Sequence, residues 1–212
     1  MTACPGGFLC DTDRALQHWL QSPALQQNAV LQGLGGVFNW WGGSGVIWFG
    51  ALLWLAARAL GRRRLSLTGL RGIEALVVAS AISGITKGFA GRARPFLTPG
   101  EPWHFDFLHG WTDARYFSMP SGHMTATVAF VVAVCVVTRG WPRWSRALFC
   151  GLLLASALAV GFARVYTDQH WLTDVLTGAL LGGTTGWLLA RWHLRRGDTA
   201  FDRTLAGTET TS

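Results

Sequence analysis

One short run of ionisable residues lies between two apolar stretches of the chain, at residues 163–175, and reads ARVYTDQHWLTDV. His170 and Asp174 are four positions apart in this run, so on a helix they share one face and the carboxylate can accept the Nδ1–H of the imidazole. Nε2 is then free as a nucleophile or base. Arg164 could donate a pair of hydrogen bonds to phosphate oxygens. The alternative is a capped helix in which the pair only holds the loop.

A second cluster, SMPSGHMTATVAF, contains a helix start followed by an apolar segment. Ser121 is a natural N-cap, and the free N–H groups of such a helix start bind phosphate well. Gly122 would let an anion approach the backbone closely. His123 could then donate a proton to a leaving oxygen. The alternative is an ordinary capped helix with an interfacial histidine.

A third cluster, KGFAGRARP, places Lys87 seven positions before Arg94. Seven residues are two helical turns, so both cations share a helix face until Pro95 ends the helix. Basic side chains at the end of a membrane span commonly reach back to the interface, and that is the alternative interpretation. Lys87 is nevertheless the single lysine among 18 basic residues. Its retention indicates that a compact ammonium is required at this position.

Taken together, the clusters supply three cations, a helix N-terminus and two histidines, of which one has a carboxylate partner. This asymmetry suits a two-step phosphoryl transfer, in which one histidine attacks phosphorus and the other protonates the leaving group. The carboxylates are too few and too scattered for a magnesium or two-metal site. The sequence therefore predicts chemistry without a metal or cofactor, with the cations neutralising transition-state charge.

The elements around these clusters predict an all-α membrane bundle. Half of the 212 residues are apolar and only 14% are charged. About 20 residues are needed to cross a bilayer. Five stretches are expected to do so: approximately 41–60, 72–90, 121–138, 147–163 and 172–192. Residues 13–31 are too polar to span and predict an interfacial amphipathic helix, interrupted near Pro23. The chain is expected to be one domain, 1–212, with an N-terminal interfacial segment over 1–40 and a flexible tail over 197–212.

The charge pattern predicts the orientation of this bundle. The net charge is +7, and the arginines cluster in alternate short loops rather than in a patch for nucleic acid. Such loops face the cytoplasm, so the C-terminus is expected inside and the loops 91–120 and 164–171 outside. The bilayer is the one partner that this pattern indicates. Cys4 and Cys10 could form a small disulfide, a pairing that the sequence leaves open.

The three clusters resemble the signature of the type 2 phosphatidic acid phosphatase family, whose motifs are K-x6-R-P, P-S-G-H and S-R-x5-H-x3-D. Every spacing matches here, over about residues 87–175. The resemblance implies His170 as the nucleophile oriented by Asp174, and His123 as the general acid. It implies a phosphate cradle made by the remaining motif residues, Lys87, Arg94, Ser121, Gly122 and Arg164. Ala163 stands where the family has serine, so one hydroxyl contact is missing, whereas Asp168 belongs to no motif and is interpreted as a rim carboxylate.

This resemblance predicts a membrane lipid phosphatase that acts at the extracytoplasmic face through a phosphohistidine. Candidate substrates are undecaprenyl pyrophosphate, phosphatidylglycerophosphate, phosphatidic acid and the lipid A phosphates, among which the sequence does not select. A phosphotransferase using the same intermediate is one alternative. A membrane protein that only binds lipid phosphate is the other, although it would not need the His170–Asp174 pair. The oligomeric state stays open.

Overall fold

The computed structural model describes residues 7–207, and its secondary structure there is helical. The helices are α1 (Phe8–Leu20), α2 (Pro23–Gln26), α3 (Ala29–Trp40), α4 (Val46–Ala59), α5 (Arg63–Ala90), α6 (Gly122–Val137), α7 (Arg143–Tyr166), α8 (Leu172–Arg196) and α9 (Ala200–Ala206). Single 3₁₀ turns occur between these helices at His109–Trp111, Ala114–Tyr116 and Thr138–Gly140. In the described range, extended pairing is limited to one isolated bridge between Arg92 and Phe105.

The first long helix begins earlier than the sequence predicts. A π-helical segment, Trp41–Gly45, joins α3 to α4 without a break, giving one helix over Ala29–Ala59. Asn28 starts it, because its side chain accepts a hydrogen bond from the Leu31 backbone N–H at 3.1 Å. Residues 29–40, which the sequence assigned to the N-terminal interfacial segment, therefore belong to this long helix. The expected boundary at 41 was wrong, because the helix continues back through AVLQGLGGVFNW to Ala29.

Four helices are long and apolar enough to cross a membrane: Ala29–Ala59, Arg63–Ala90, Gly122–Gly140 and Arg143–Tyr166. They correspond to the first four predicted spans. The fifth predicted span coincides with α8, which has 25 residues but is rich in threonine and glycine. A fifth crossing therefore stays a prediction.

Helix α6 forms the centre of the bundle. Its residues Phe130, Val131 and Val134 are fully buried, and α4, α5 and α7 pack around them. Helix α8 packs closely against α6. A Cβ at Gly182 would collide with the Thr125 carbonyl, and one at Gly178 would lie 2.7 Å from the Ser121 carbonyl. Small residues allow such close approach between membrane helices. The first turns of α6 and α8 are consequently held side by side.

Helix α1 lies in the segment for which the sequence predicts an interfacial amphipathic helix, and it begins at Phe8 rather than at residue 13. Its buried residues Cys10, Asp13, Gln17 and Leu20 recur at helical spacing and face the bundle. Leu20 packs in an apolar cluster with residues of α6, α7 and α8. The interfacial location of α1 stays a prediction. Cys4, the candidate partner of Cys10, lies outside the described residues.

The C-terminal segment departs from the expected loose tail. Thr199 and Asp202 form a capping box that starts α9. Asp202 pairs with Arg71 of α5 at 2.7 Å, and the Trp54 indole N–H donates to the Leu205 carbonyl at 3.0 Å. Residues 200–206 are thus ordered against the bundle, and the expectation was wrong for them. Residues 208–212 lie outside the described part of the chain.

Candidate active site

His170 lies in the loop between α7 and α8 and is almost fully buried, with 2% of its surface exposed. Its backbone N–H donates to the Arg164 carbonyl at 3.1 Å, which ties the loop to the end of α7. Nδ1 lies 3.6 Å from Asp174 Oδ2 and 3.5 Å from Ser118 Oγ. Catalytic hydrogen bonds are often this long before substrate binds. The ring therefore turns Nδ1 to the carboxylate and leaves Nε2 as its free end.

The environment of His170 keeps the imidazole uncharged. Burial lowers its pKa from 6.5 to about 3, against the opposing effect of Asp174. Desolvation disfavours the charged form of a buried base. A neutral imidazole has a lone pair on Nε2, so His170 is in the state that a nucleophile needs.

Both oxygens of Asp174 are held in place. Asp174 is fully buried in the first turn of α8. Oδ1 accepts from the Arg92 guanidinium at 2.6 Å. Oδ2 accepts from Ser118 Oγ at 2.6 Å and from the Trp171 backbone N–H at 2.9 Å. A carboxylate fixed in this way can orient the His170 ring and stabilise positive charge on it.

Lys87 lies in the last turns of α5, with its ammonium pointing to the start of α6. Its Nζ donates to the Phe117 carbonyl at 2.8 Å and to the Ser118 carbonyl at 3.2 Å. A Cβ at Gly122 would lie 3.5 Å from Lys87 Cε, so the ammonium stem passes beside the first residue of α6. Two of its three N–H donors are used by these carbonyls. The third is available to an anion at the helix start.

The start of α6 has an unused hydroxyl. The Ser121 backbone N–H donates to the Asp174 carbonyl at 2.8 Å, which joins the start of α6 to that of α8. Ser121 Oγ is buried, makes no capping bond and has no partner in the described structure. Buried polar atoms are normally satisfied. The hydroxyl and the free N–H groups of the first turn are donors that fit a bound oxyanion.

Arg94 and Arg164 complete the cationic side of the site. Arg94 Nε donates to the Ala114 carbonyl at 3.2 Å, and its Nη1 donates to the Gln169 side chain. Burial lowers the pKa of Arg94. Arg164 is 5% exposed, donates through Nη1 to the Asn39 side-chain oxygen and leaves Nε without a partner. Within residues 7–207, neither these two guanidinium groups nor the Lys87 ammonium has a carboxylate oxygen within 4.0 Å.

His123 occupies a different environment from His170. It lies in the first turn of α6 and is only partly buried. A Cβ at Gly43 would lie 2.9 Å from His123 Nε2, so the π-helical segment packs directly against the ring. The charged groups that act on it are the three cations Arg164, Lys87 and Arg94. His123 thus has no carboxylate partner in the described structure, in contrast to His170.

The structure brings all the predicted site residues to one end of the bundle: Lys87, Arg94, Ser121, Gly122, His123, Arg164, His170 and Asp174. Ala163 is fully buried beside them. Asp168 lies at the rim, where its carboxylate accepts from the Gln17 amide at 3.1 Å. No group of three or more histidine, cysteine, aspartate or glutamate residues that could hold a metal occurs in the described residues. The roles of the individual residues stay predictions.

Several residues around the site escaped the sequence reasoning: Asp13, Asn39, Gly43, Arg92 and Ser118. Two of them have a sequence feature that could have identified them. Arg92 lies inside the KGFAGRARP motif, and Asp13 lies on the apolar face of α1, where an unpaired carboxylate would be costly. Asn39 and Gly43 have none, because their contacts with Arg164 and His123 depend on how the first long helix packs.

Comparison with known proteins identifies a family for this chain. The family model described as the PAP2 superfamily matches residues 69–198. A lipid A 1-phosphatase of Rhizobium etli is 30% identical over 126 residues, which cover 58% of this chain and 49% of that protein. An undecaprenyl-diphosphatase of Bacillus subtilis is 28% identical over 142 residues, covering 66% of this chain and 63% of that protein. The match therefore takes in less than two thirds of either relative.

A solved structure shares the fold. The crystal structure of a transmembrane PAP2-type phosphatidylglycerolphosphate phosphatase from Bacillus subtilis has a TM-score of 0.66 and covers 90% of this chain and 88% of its own, at 19% identity. The four apolar helices and this transmembrane neighbour identify an integral membrane protein.

Proposed function

Because the chain belongs to the PAP2 superfamily, as its three motifs predicted, we propose that it is a lipid phosphatase that hydrolyses a lipid phosphate or pyrophosphate through a phosphohistidine. One observation carries this proposal. A neutral, buried His170 has its Nδ1 beside an anchored carboxylate, while Lys87, Arg94 and Arg164 have no carboxylate partner among the described residues. A site that only bound lipid phosphate would need the cations but not the His170–Asp174 pair.

In the first step, Nε2 of His170 attacks phosphorus and the bond from phosphorus to the leaving oxygen breaks. His123 donates a proton to that oxygen, which departs as part of a lipid alcohol or, from a lipid pyrophosphate, as part of the lipid monophosphate. The positive charge that develops on the His170 ring is stabilised by Asp174 through Nδ1. Lys87, Arg94, Arg164 and the α6 N-terminus stabilise the charge on the equatorial oxygens.

In the second step, a water molecule attacks phosphorus and the P–N bond breaks. His123, now neutral, accepts a proton from that water as a general base, and inorganic phosphate leaves. His170 recovers its lone pair on Nε2. The cations hold the phosphoryl oxygens in both steps. This supports metal-independent hydrolysis, since the residues already supply the charge that a metal would otherwise contribute.

Trapping the intermediate tests this mechanism. Purified His123→Ala enzyme, mixed in the presence of a chelator with a labelled phosphate ester whose leaving group needs no proton, should accumulate label on the protein as an acid-labile, base-stable phosphoramidate, because only its hydrolysis then lacks the His123 imidazole. His170→Ala should acquire no label. Label on a serine, aspartate or cysteine, or labelling that requires a divalent ion, would contradict the proposed mechanism. Transfer of the label to an added lipid alcohol in preference to water would favour the phosphotransferase.

The orientation follows from the arginine distribution. At the end opposite the site, the loops and the helix turns next to them contain Arg62, Arg63, Arg64, Arg139, Arg143, Arg195 and Arg196. Because positive loops stay in the cytoplasm, this distribution supports an orientation with the C-terminus inside, the site outside and α8 crossing the membrane as the fifth span. Helix α1, with its polar face turned outward, then lies at the outer interface. A lipid of the outer leaflet could present its phosphate there while its tails remain in hydrocarbon.

Labelling of single cysteines in intact cells checks this orientation. Thr112 and Arg62 are both exposed, one near the site and one at the opposite end. In a background without other cysteines, Thr112→Cys should react with a membrane-impermeant maleimide, and Arg62→Cys should react only after permeabilisation. The reverse pattern would place the site in the cytoplasm.

A further inference from the structure

Arg92 is buried beside the catalytic pair and is 2% exposed. One guanidinium nitrogen, Nη1, donates to Asp174 Oδ1 at 2.6 Å and to Thr173 Oγ1 at 2.7 Å. The other, Nη2, donates to Asp13 Oδ2 at 2.9 Å and to the Pro102 carbonyl at 2.8 Å. Nε donates to the same carbonyl at 3.0 Å. Every nitrogen of Arg92 is therefore committed to protein, and the side chain has no donor group left unpaired for substrate.

Asp13 extends this network to the N-terminal helix. It is 2% exposed, and its Oδ1 accepts from the Thr173 backbone N–H at 2.9 Å. Oδ2 accepts from Arg92 and from the Thr173 hydroxyl. Asp13 thus fixes the position of Thr173, which is next to Asp174 in the chain, and of Arg92, which pairs with Asp174. It lies outside the residues 69–198 that the family model matches.

The charges of this network have a direct consequence for His170. Arg92 lies between two buried carboxylates, Asp13 and Asp174, so the three groups together carry one negative charge. Without Asp13, the full charge of Arg92 would act on Asp174 alone. The field with which Asp174 stabilises a cationic His170 ring would then be largely cancelled, since charges interact strongly in a buried site.

We propose that Asp13 and Arg92 are positioning residues for the reaction: Asp13 of the N-terminal helix, acting through Arg92, holds Asp174 in place and preserves its negative charge toward His170. Helix α1 is then part of the catalytic apparatus and not only a membrane anchor. This inference rests on the proposed function, because its readout is the rate of phosphate release.

The test compares Asp13→Asn with Asp11→Asn. Both aspartates lie on α1, but Asp11 is exposed, and its ion-pair partner among residues 7–207 is Arg14 at 3.5 Å. With the full-length protein in detergent and a lipid phosphate as substrate, Asp13→Asn should lower kcat about tenfold or more with KM nearly unchanged, as for other groups that orient a catalytic residue. Asp11→Asn should match the wild type. Thermal unfolding of each variant measures any loss of structure separately.

A double-mutant cycle separates positioning from simple docking of α1. If Asp13 acts through Arg92, adding Asp13→Asn to Arg92→Lys should lower kcat by clearly less than it does in the wild type. Arg92→Lys keeps the positive charge but loses the bidentate geometry of the guanidinium. We therefore expect it to fold more readily than a variant that removes the charge. Additive effects, a change confined to KM, or wild-type kcat in Asp13→Asn would overturn the inference. Absence of phosphate release from the wild type would instead overturn the proposed function.

Discussion

The two ends of the bundle each contain a buried arginine between two carboxylates, with a histidine beside one of them. At the site end, Arg92 bridges Asp13 and Asp174, and His170 lies 3.6 Å from Asp174. At the opposite end, Arg71 contacts Glu74 at 3.3 Å and Asp202 at 2.7 Å. His193 lies there 2.7 Å from Glu74. By composition alone, either cluster could be taken for an active site.

The two clusters differ in what is left unpaired. Arg196 donates to His193 Nδ1 at 3.0 Å while Nε2 contacts Glu74, so both ring nitrogens of His193 are occupied. Arg196 also pairs with Asp202 at 3.0 Å. At the site end, only Nδ1 of His170 has a side-chain contact in the described structure, and three further cations lack carboxylates. The lesson is that a free ring nitrogen and unmatched positive charge distinguish a phosphate site from a structural ion cluster.

The largest expected difference in activity between the two clusters comes from replacing their histidines, His170 and His193. His170→Ala removes the nucleophile and should lower kcat by at least about 10⁴-fold, as loss of a central catalytic residue does. His193→Ala should leave phosphate release within a few-fold of the wild type and lower the temperature of unfolding. The two measurements are a lipid phosphatase assay and thermal unfolding in detergent. A loss of activity in His193→Ala at unchanged stability would contradict the distinction between a phosphate site and a structural ion cluster.

Replacing an arginine at each end should produce opposite effects. Arg164→Met removes a cation without an acid partner, so kcat/KM should fall about 10²-fold or more while stability is kept or raised. Arg71→Met leaves Asp202 buried without that cation, and breaking a buried pair costs about 3–5 kcal/mol. Arg71→Met should therefore unfold at a lower temperature but retain its activity when folded. If both variants lost only stability, Arg164 would not contact the substrate.

A glycine substitution beside His123 should have a smaller effect. A Cβ at Gly43 would lie 2.9 Å from Nε2 of the ring, whereas one at Gly36 in the same long helix would meet no atom within 4 Å. Gly43→Ala should displace the proton donor without removing it and lower kcat about tenfold, less than the roughly 10²- to 10⁴-fold that general acid catalysis contributes in full. Gly36→Ala should match the wild type. Recovery of Gly43→Ala activity with a substrate whose leaving group needs no proton would locate the defect at His123, and equal rates for all substrates would contradict it.

The sequence predicted which motif residues lie together at one end of the bundle, but not the residues that surround them. Helical spacing and helix-start chemistry sufficed for His170, Asp174, Ser121 and Lys87, which lie within a turn or two of a helix end. The expected shared helix face of Lys87 and Arg94 was wrong, because α5 ends at Ala90 and Arg94 lies in the loop that follows. Asp13 and Asn39 could not be predicted, since their partners are more than 70 residues away along the chain. Helix α9 was missed because its seven residues are ordered mainly by contacts with Arg58, Arg71 and Trp54.

The smallest expected effect concerns the one departure from the family motif. Ala163 is fully buried, and its carbonyl already accepts from the Thr167 backbone at 3.0 Å and the Thr167 hydroxyl at 2.7 Å. Ala163→Ser would add a buried hydroxyl next to Arg164 but no proton-transfer or nucleophilic group. We therefore expect kcat/KM to change by less than about threefold, equivalent to less than about 0.7 kcal/mol. A gain of 10-fold or more would show that phosphate is held at the Ala163 side of the site, where the missing hydroxyl limits the present enzyme.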